Sequence, residues 1–277
     1  MTSDLRRLQL EELAILEDFV AACEEYGLRY YLLGGTLLGA VRHKGFIPWD
    51  DDVDVAMPRV DYDRLISLWD SRECEYTMVT PDTPGYRYPW ARLESSRVRI
   101  RNHSANVPRI ENAWIDIIPF DSIPDNPVLR TLHKTRLSLW WNLNQIVQFD
   151  ELVDQKRQRS LPGRLAISLA SKFKWIGSLV DYKTTLRGLN RTLMKYPYDM
   201  DTRDIINFLA AYGFDEIFPR QAFAETALYD FEGRQFVGPK DYHEVCLRIY
   251  GDSYMELPPE DERNKHNAEI LDDDELG

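Results

Sequence analysis

The sequence predicts an α/β (α+β) fold, a mixed sheet with flanking helices and a helical insertion in its second half. Short runs that alternate polar and apolar residues recur between Arg29 and Ile118, which is the period of a strand. Helical spacing fills the stretches around them, and from Pro127 to about Lys195 the pattern is mostly helical. With 277 residues the chain can bury a real core, and no repeat or low-complexity linker divides it. A single domain over residues 1–277 is therefore expected, with 126–220 inserted into it.

Taken in order, Leu5 to Tyr26 reads as an amphipathic helix. Leu8, Leu13, Leu16 and Phe19 fall near helical spacing, while Arg6, Arg7, Glu11, Glu12 and Glu17 take the other face; Gly27 suits its end. Arg29 to Leu33 is a β-type run stopped by Gly34-Gly35, and Leu37 to Arg42 begins a short helix with Thr36 near its cap. After a turn at Gly45 to Trp49, Asp52 to Ala56 alternates as a strand. Residues 61–70 are helical, Arg97 to Arg101 and Ala113 to Ile118 are strands, and Ala222 to Val237 is a hairpin turning at Gly233. Asp241 to Tyr250 is a helix ending at Gly251, and the final DDDELG is a solvated tail.

Composition narrows the function classes. A net charge of −12 argues against a general nucleic-acid binder, which needs a basic surface to displace counterions. Residues 126–200 are nonetheless basic, which hints at a local anionic partner. Cys23, Cys74 and Cys246 are scattered and odd in number, giving neither a disulfide framework nor a zinc site. The start lacks the apolar core of a signal peptide, and no run approaches the ~18–20 apolar residues that span a bilayer, so a reduced cytoplasm is expected.

The chemistry concentrates between Gly34 and Asp54. Strand geometry makes Asp52 and Asp54 project together while Val53 and Val55 enter the core. Two carboxylates on one face repel unless a cation sits between them, and hard oxygen ligands suit Mg²⁺ or Mn²⁺. Asp50 is in phase with the pair but lies next to a turn, whereas Asp51 should point away. Gly34-Gly35-Thr36 closes a strand and opens a helix, where exposed amides attract a phosphate; Arg42 or Lys44 adds positive charge. An acidic cluster alone is usually solvated and a Gly-Gly pair alone is usually a turn, but their conjunction is what phosphoryl chemistry requires. Asp116, between Ile115 and Ile117, is a third carboxylate for a metal or a proton, or else a strand-surface aspartate.

At these residues the chain resembles the LicD family, whose relatives include fukutin and fukutin-related protein. The resemblance rests on YYLLGGTLLGAVRHKGFIPWDDDVDVAMPR (30–59), AWIDIIPFD (113–121) and GPKDYHEVCLRIYGDSYMELPPEDERNKH (238–266). It implies a nucleotidyltransferase-like fold and transfer of phosphocholine, or a similar phospho-alcohol, from a CDP-alcohol donor, CDP-choline being favoured. The implied acceptor is a hydroxyl of a cell-envelope or lipid-linked glycan such as lipopolysaccharide or teichoic acid, with 126–220 on the acceptor side. By the same resemblance Gly34, Gly35 and Thr36 match the phosphate-side motif, with Arg42 beside them. Asp52 and Asp54 match the metal-binding pair, and Asp116 matches the third acid. His266 is catalytic or solvent-facing.

Two features bear on donor and acceptor. Tyr86, Tyr88 and Trp90 alternate and could cage a quaternary ammonium, as could Trp140-Trp141; packing is the other reading. Residues 161–180 combine apolar positions with Arg164, Lys172, Lys174 and Trp175, the make-up of a helix lying on the inner face of an anionic membrane, or of an ordinary packing helix. Rival functions are addition of a nucleoside monophosphate to an acceptor, and non-catalytic binding of a glycan or nucleotide.

Overall fold

The computed structural model describes residues 3–102, 109–152, 171–260, 263 and 268–271. His266, residues 161–170 and the DDDELG tail fall outside them. Helix α1 (Ser3–Tyr26) leads through Gly27, at φ 62°, into the two-residue strand β1 (Tyr31–Leu32). Helix α2 (Gly34–His43) follows at once, then β2 (Asp54–Pro58), α3 (Arg59–Trp69) and β3 (Thr77–Val79). Two long strands, β4 (Ala91–Asn102) and β5 (Arg109–Ile123), form the spine of the sheet.

Helices α4 (Pro127–Val147) and α5 (Tyr182–Leu193) come next, followed by β6 (Asp204–Ile206) and β7 (Ile217–Pro219). The chain then makes the hairpin β8 (Thr226–Phe231) and β9 (Arg234–Pro239), helix α6 (Tyr242–Tyr250) and strand β10 (Ala268–Leu271). The sheet order is β1-β2-β5-β4-β10, with β3 on β4 and β6-β7 on the far end of β5. Only the β2–β5 pairing is parallel among the described ladders, so this is a mixed, curled sheet flanked by helices.

Register follows from burial. Val53, Val55, Ala56 and Met57 are fully buried, and each Val or Met side chain contributes about 1.5–3 kcal/mol. A one-residue slip of β2 would swing Val53, Val55 and Met57 to the face that carries Asp54, so the core holds Asp54 in place. α1 lies across β4 and β5 with Ile15, Leu16 and Phe19 inward. Glu12, expected on its polar face, is buried beneath the Asp50–Asp52 loop, the helix being covered on more sides than its pattern suggests.

A second apolar cluster joins α4, α5 and β6 to the C-terminal half of β5, through Leu137, Leu189, Leu193, Ile206 and Ile123. Asn126 caps α4 by accepting from the Val128 and Leu129 amides at 3.0 and 3.1 Å, with a proline in its first turn. α5 crosses it closely at Gly188, where a Cβ would meet the Trp140 ring at 2.6 Å. The hairpin turns at Glu232 and Gly233, both left-handed at φ 51° and 77°.

Several local expectations shift. α2 begins at Gly34 rather than after Thr36, with Leu33 as its N-cap and no capping side chain. Asp52 precedes the strand, which starts at Asp54. Tyr86, Tyr88 and Trp90 also lie ahead of a strand, not on one. Of residues 161–180, the described part closes a helical turn and continues as a 3₁₀ turn over Lys174–Ser178. No helix among the described residues is long and apolar enough to cross a membrane.

Candidate active site

The sheet sets three side chains in a row. Asp54 on β2 pairs with Asp116 on β5, and Asp116 pairs with Arg92 on β4. Laterally paired residues share a face, so the two carboxyls and the guanidinium lie on one side of the sheet. Arg92 Nε donates to Asp116 Oδ1 at 2.6 Å, as does Trp90 Nε1 at 2.6 Å, while Trp114 Nε1 donates to Oδ2 at 3.3 Å. At 7% exposure Asp116 is no strand-surface aspartate.

The Arg92 guanidinium itself lies 3.9 Å from the Tyr88 ring centre and 4.2 Å from that of Trp114. Tyr86, Tyr88 and Trp90 do stack in succession, at 5.6 and 5.2 Å. The cation against Tyr88 is the chain's own arginine, and Trp90 is spent on holding Asp116. Trp140 and Trp141 pack on the second cluster.

The acidic loop meets α2 at its start. Thr36, buried one turn into the helix, accepts the Asp54 amide on its Oγ1 at 2.8 Å, and the Leu33 amide donates to the Asp54 carbonyl at 3.2 Å. These two bonds lock β2 to the helix entrance. Gly34 is left-handed at φ 56°, and a Cβ there would stand 2.8 Å from Asp54 Oδ2; a Cβ on Gly35 would collide with the Asp50 carboxyl. Both glycines are thus required where carboxyls and helix amides converge. Thr36 works as a clamp on β2, a role its sequence position did not suggest.

Gly34, Gly35, Asp50, Asp52 and Asp54 line one wall of a cleft of about 540 Å³. Asp51 is not among the lining residues. Asn207, Tyr212, Glu216 and Tyr250 line the same cleft, as do several residues between 253 and 259. Arg42 also lines the cleft, at the other end of α2 from the glycines; its Nη1 donates to the Tyr254 and Glu256 carbonyls, both at 2.9 Å. It ties the rim to α2. Sequence reasoning missed Asn207, Glu216, Glu12, Arg92 and Trp90. Trp90, two residues from Arg92, was singled out only for its ring; nothing local marks the others.

Burial, followed by Asp50 and Asp54, pushes the Asp52 carboxyl well above the ordinary range. Burial, then Asp116 and Glu216, does the same to Asp54, with Arg92 opposing. Glu12 is raised by burial and then by Asp51 and Asp52, and both its oxygens lack a hydrogen-bond partner. So much unneutralised acid in one place is costly unless a proton or a cation joins it. Among the described residues no group of three or more His, Cys, Asp or Glu is arranged to hold a metal ion. Asp116 is engaged on both oxygens, which leaves Asp52 and Asp54 as the available pair. Two carboxylates completed by substrate phosphates are a donor set that fits Mg²⁺.

A family profile described as LicD/FKTN/FKRP, nucleotidyltransferase domain, matches residues 27–153. The chain is 33% identical over 273 residues to the lipopolysaccharide cholinephosphotransferase LicD of Haemophilus influenzae, covering 96% of each chain. It is also 33% identical over 132 residues to the human ribitol 5-phosphate transferase FKRP, and 55% identical over 132 residues to the mouse protein of that name. Each of those stretches covers 48% of this chain and 23% of the FKRP length.

Proposed function

This chain belongs to the LicD/FKTN/FKRP family, and from that premise we propose that it transfers phosphocholine, or a similar phospho-alcohol, from a CDP-activated donor to a hydroxyl of a cell-envelope glycan such as lipopolysaccharide or teichoic acid. The observation that carries this reading is the convergence of Asp52 and Asp54 on the glycine-opened N-terminus of α2 inside one cleft. Similarity over nearly the whole chain to a cholinephosphotransferase favours choline as the alcohol.

Each residue has a physical task in this reading. The first amides of α2, uncapped by any side chain, face the donor diphosphate at Gly34 and Gly35. Asp52 and Asp54 hold Mg²⁺ or Mn²⁺, which when bound supplies positive charge against the diphosphate. Thr36 fixes Asp54 relative to those amides, and Arg92 with Trp90 fixes Asp116 beside Asp54. Arg42 holds the rim that closes over the nucleotide. The acceptor oxygen attacks the alcohol-bearing phosphorus and CMP departs.

The test is a panel of CDP-alcohols incubated with Mg²⁺ or Mn²⁺ and with purified lipopolysaccharide or teichoic acid, reading out CMP. CDP-choline should release CMP, and Asp52→Asn or Asp54→Asn should abolish release while the fold persists by circular dichroism. Near-normal turnover in either variant refutes the assignment. Release of pyrophosphate from CTP or ATP instead identifies a nucleotidyltransferase, and tight CDP-choline binding without CMP identifies a binding protein.

A further inference from the structure

We propose that Glu216 is the base that receives the acceptor's proton and that the Asn207 carboxamide oxygen orients the acceptor hydroxyl, so that residues 207–216 form the acceptor side of the cleft. This rests on the transferase reading above and adds the residues that handle the second substrate. Both residues lie outside the segment matched by the family profile.

Glu216 and Asn207 are pinned to each other. Asn207 Nδ2 donates to Glu216 Oε2 at 2.7 Å, the Tyr212 amide donates to Oε1 at 3.2 Å, and the Asn207 amide donates to the Glu216 carbonyl at 3.0 Å. Both hydrogen-bond donors to the carboxyl are neutral. Glu216 is 2% exposed yet lines the same cleft as Asp52 and Asp54. Asn207 is fully buried, lines the same cleft, and its Oδ1 has no hydrogen-bond partner. An unsatisfied buried oxygen costs about 1–3 kcal/mol. A sugar hydroxyl entering the cleft supplies the missing donor.

Asp116, the other carboxyl considered for the proton, has three donors on its two oxygens, one of them the Arg92 guanidinium. Glu12 is buried but does not line the cleft. Glu216 therefore stands as the buried cleft carboxyl outside residues 50–54. Burial raises it to about 7, against the opposing bonds from Tyr212 and Asn207, which matches a base acting near neutral pH. The charged and titratable groups around it are Asp215 on its own turn, Asp54 in the same cleft, Tyr212 and Tyr250. Arg248 of α6 donates to the Ile217 carbonyl next in sequence, and Glu244 is paired with Arg248.

The step balances without a further reactant. The acceptor oxygen forms a bond to phosphorus, and the phosphoanhydride bond to CMP breaks with its electron pair leaving on CMP. The hydroxyl proton passes to a Glu216 carboxylate oxygen and then to solvent.

Glu216→Gln in the full chain should slow CMP release from CDP-choline, with Mg²⁺ and lipopolysaccharide or teichoic acid present, by ~10²–10⁴-fold. Calorimetric CDP-choline affinity should stay within about threefold, and the variant should lose the rise in rate toward neutral pH expected of the wild type. Asn207→Ala should raise the acceptor KM about tenfold or more, with donor affinity unchanged, and this tests the site even if Glu216→Gln fails to fold. Wild-type-like turnover in Glu216→Gln overturns the proposal alone, as does a slow variant that keeps the wild-type pH profile or an unchanged acceptor KM in Asn207→Ala. Absence of CMP release by the wild type with every donor overturns this proposal and the transferase reading together.

Discussion

Gly34 has two reasons to lack a side chain, and they can be separated. Its left-handed φ costs any L residue about 1–2 kcal/mol, and a Cβ would also press on Asp54 Oδ2 at 2.8 Å. Gly27 has a similar φ of 62° with nothing within 4 Å. Gly34→Ala and Gly27→Ala should therefore lower the thermal midpoint by comparable amounts, while only Gly34→Ala lowers CMP release by more than about tenfold. Equal activity in both would remove the glycine from the site. Residues of this kind are legible in a sequence because the groups they serve lie within about twenty positions. Thr36 shows the limit of such legibility. Its hydroxyl suggested a cap from neighbours alone, but the strand it clamps was not yet placed.

Among elements, β4 and β5 do most to build the site, and their contribution is one buried ion pair. Arg92 and Asp116 are 5% and 7% exposed. Removing one partner of such a pair strands the other's charge, at about 3–5 kcal/mol. Arg92→Met should lower the urea midpoint by that equivalent, and adding Asp116→Leu should restore much of it without restoring turnover. A single variant as stable as the wild type would show the pair to be solvated. The alternation around Asp116 revealed the strand; its partners did not show, because cross-strand neighbours are set by register and not by spacing. The aromatic residues at 86–90 were legible as a cluster for the same local reason, but which cation Tyr88 faces depended on the strand beside it.

At the scale of the molecule, the cleft lies where the sheet core meets the second cluster built from α4, α5 and β6. The helices of residues 127–193 were legible, and their place against the end of β5 was not, since no local pattern encodes a contact spanning tens of residues; the strands β6 and β7 that follow them were not read either. That cluster carries its own pH sensitivity. His133 on α4 is 3% exposed, its Nε2 has no partner, and burial followed by Lys195 and Arg136 lowers it to about 4. The unfolded chain therefore binds the proton more readily between the ordinary histidine value of 6.5 and about 4. Stability attributable to His133 is present above the upper value and declines as pH falls through that window. Urea midpoints at pH 7.5 and 4.5 should differ less in His133→Leu than in the wild type, and an equal difference would exclude the histidine as the source.

The hydrogen bonds from Arg42 to the carbonyls of residues 254 and 256 have a consequence for how the chain is made. The floor of the cleft leaves the ribosome with residues 34–54, but its rim follows roughly 200 residues later, an interval of about 10–40 s at usual elongation rates. Throughout that time a nascent chain carries its cluster of mutually repelling acids with no lid above it. Ions and water around the nascent chain, rather than the finished cleft, must shield those charges until the rim is made.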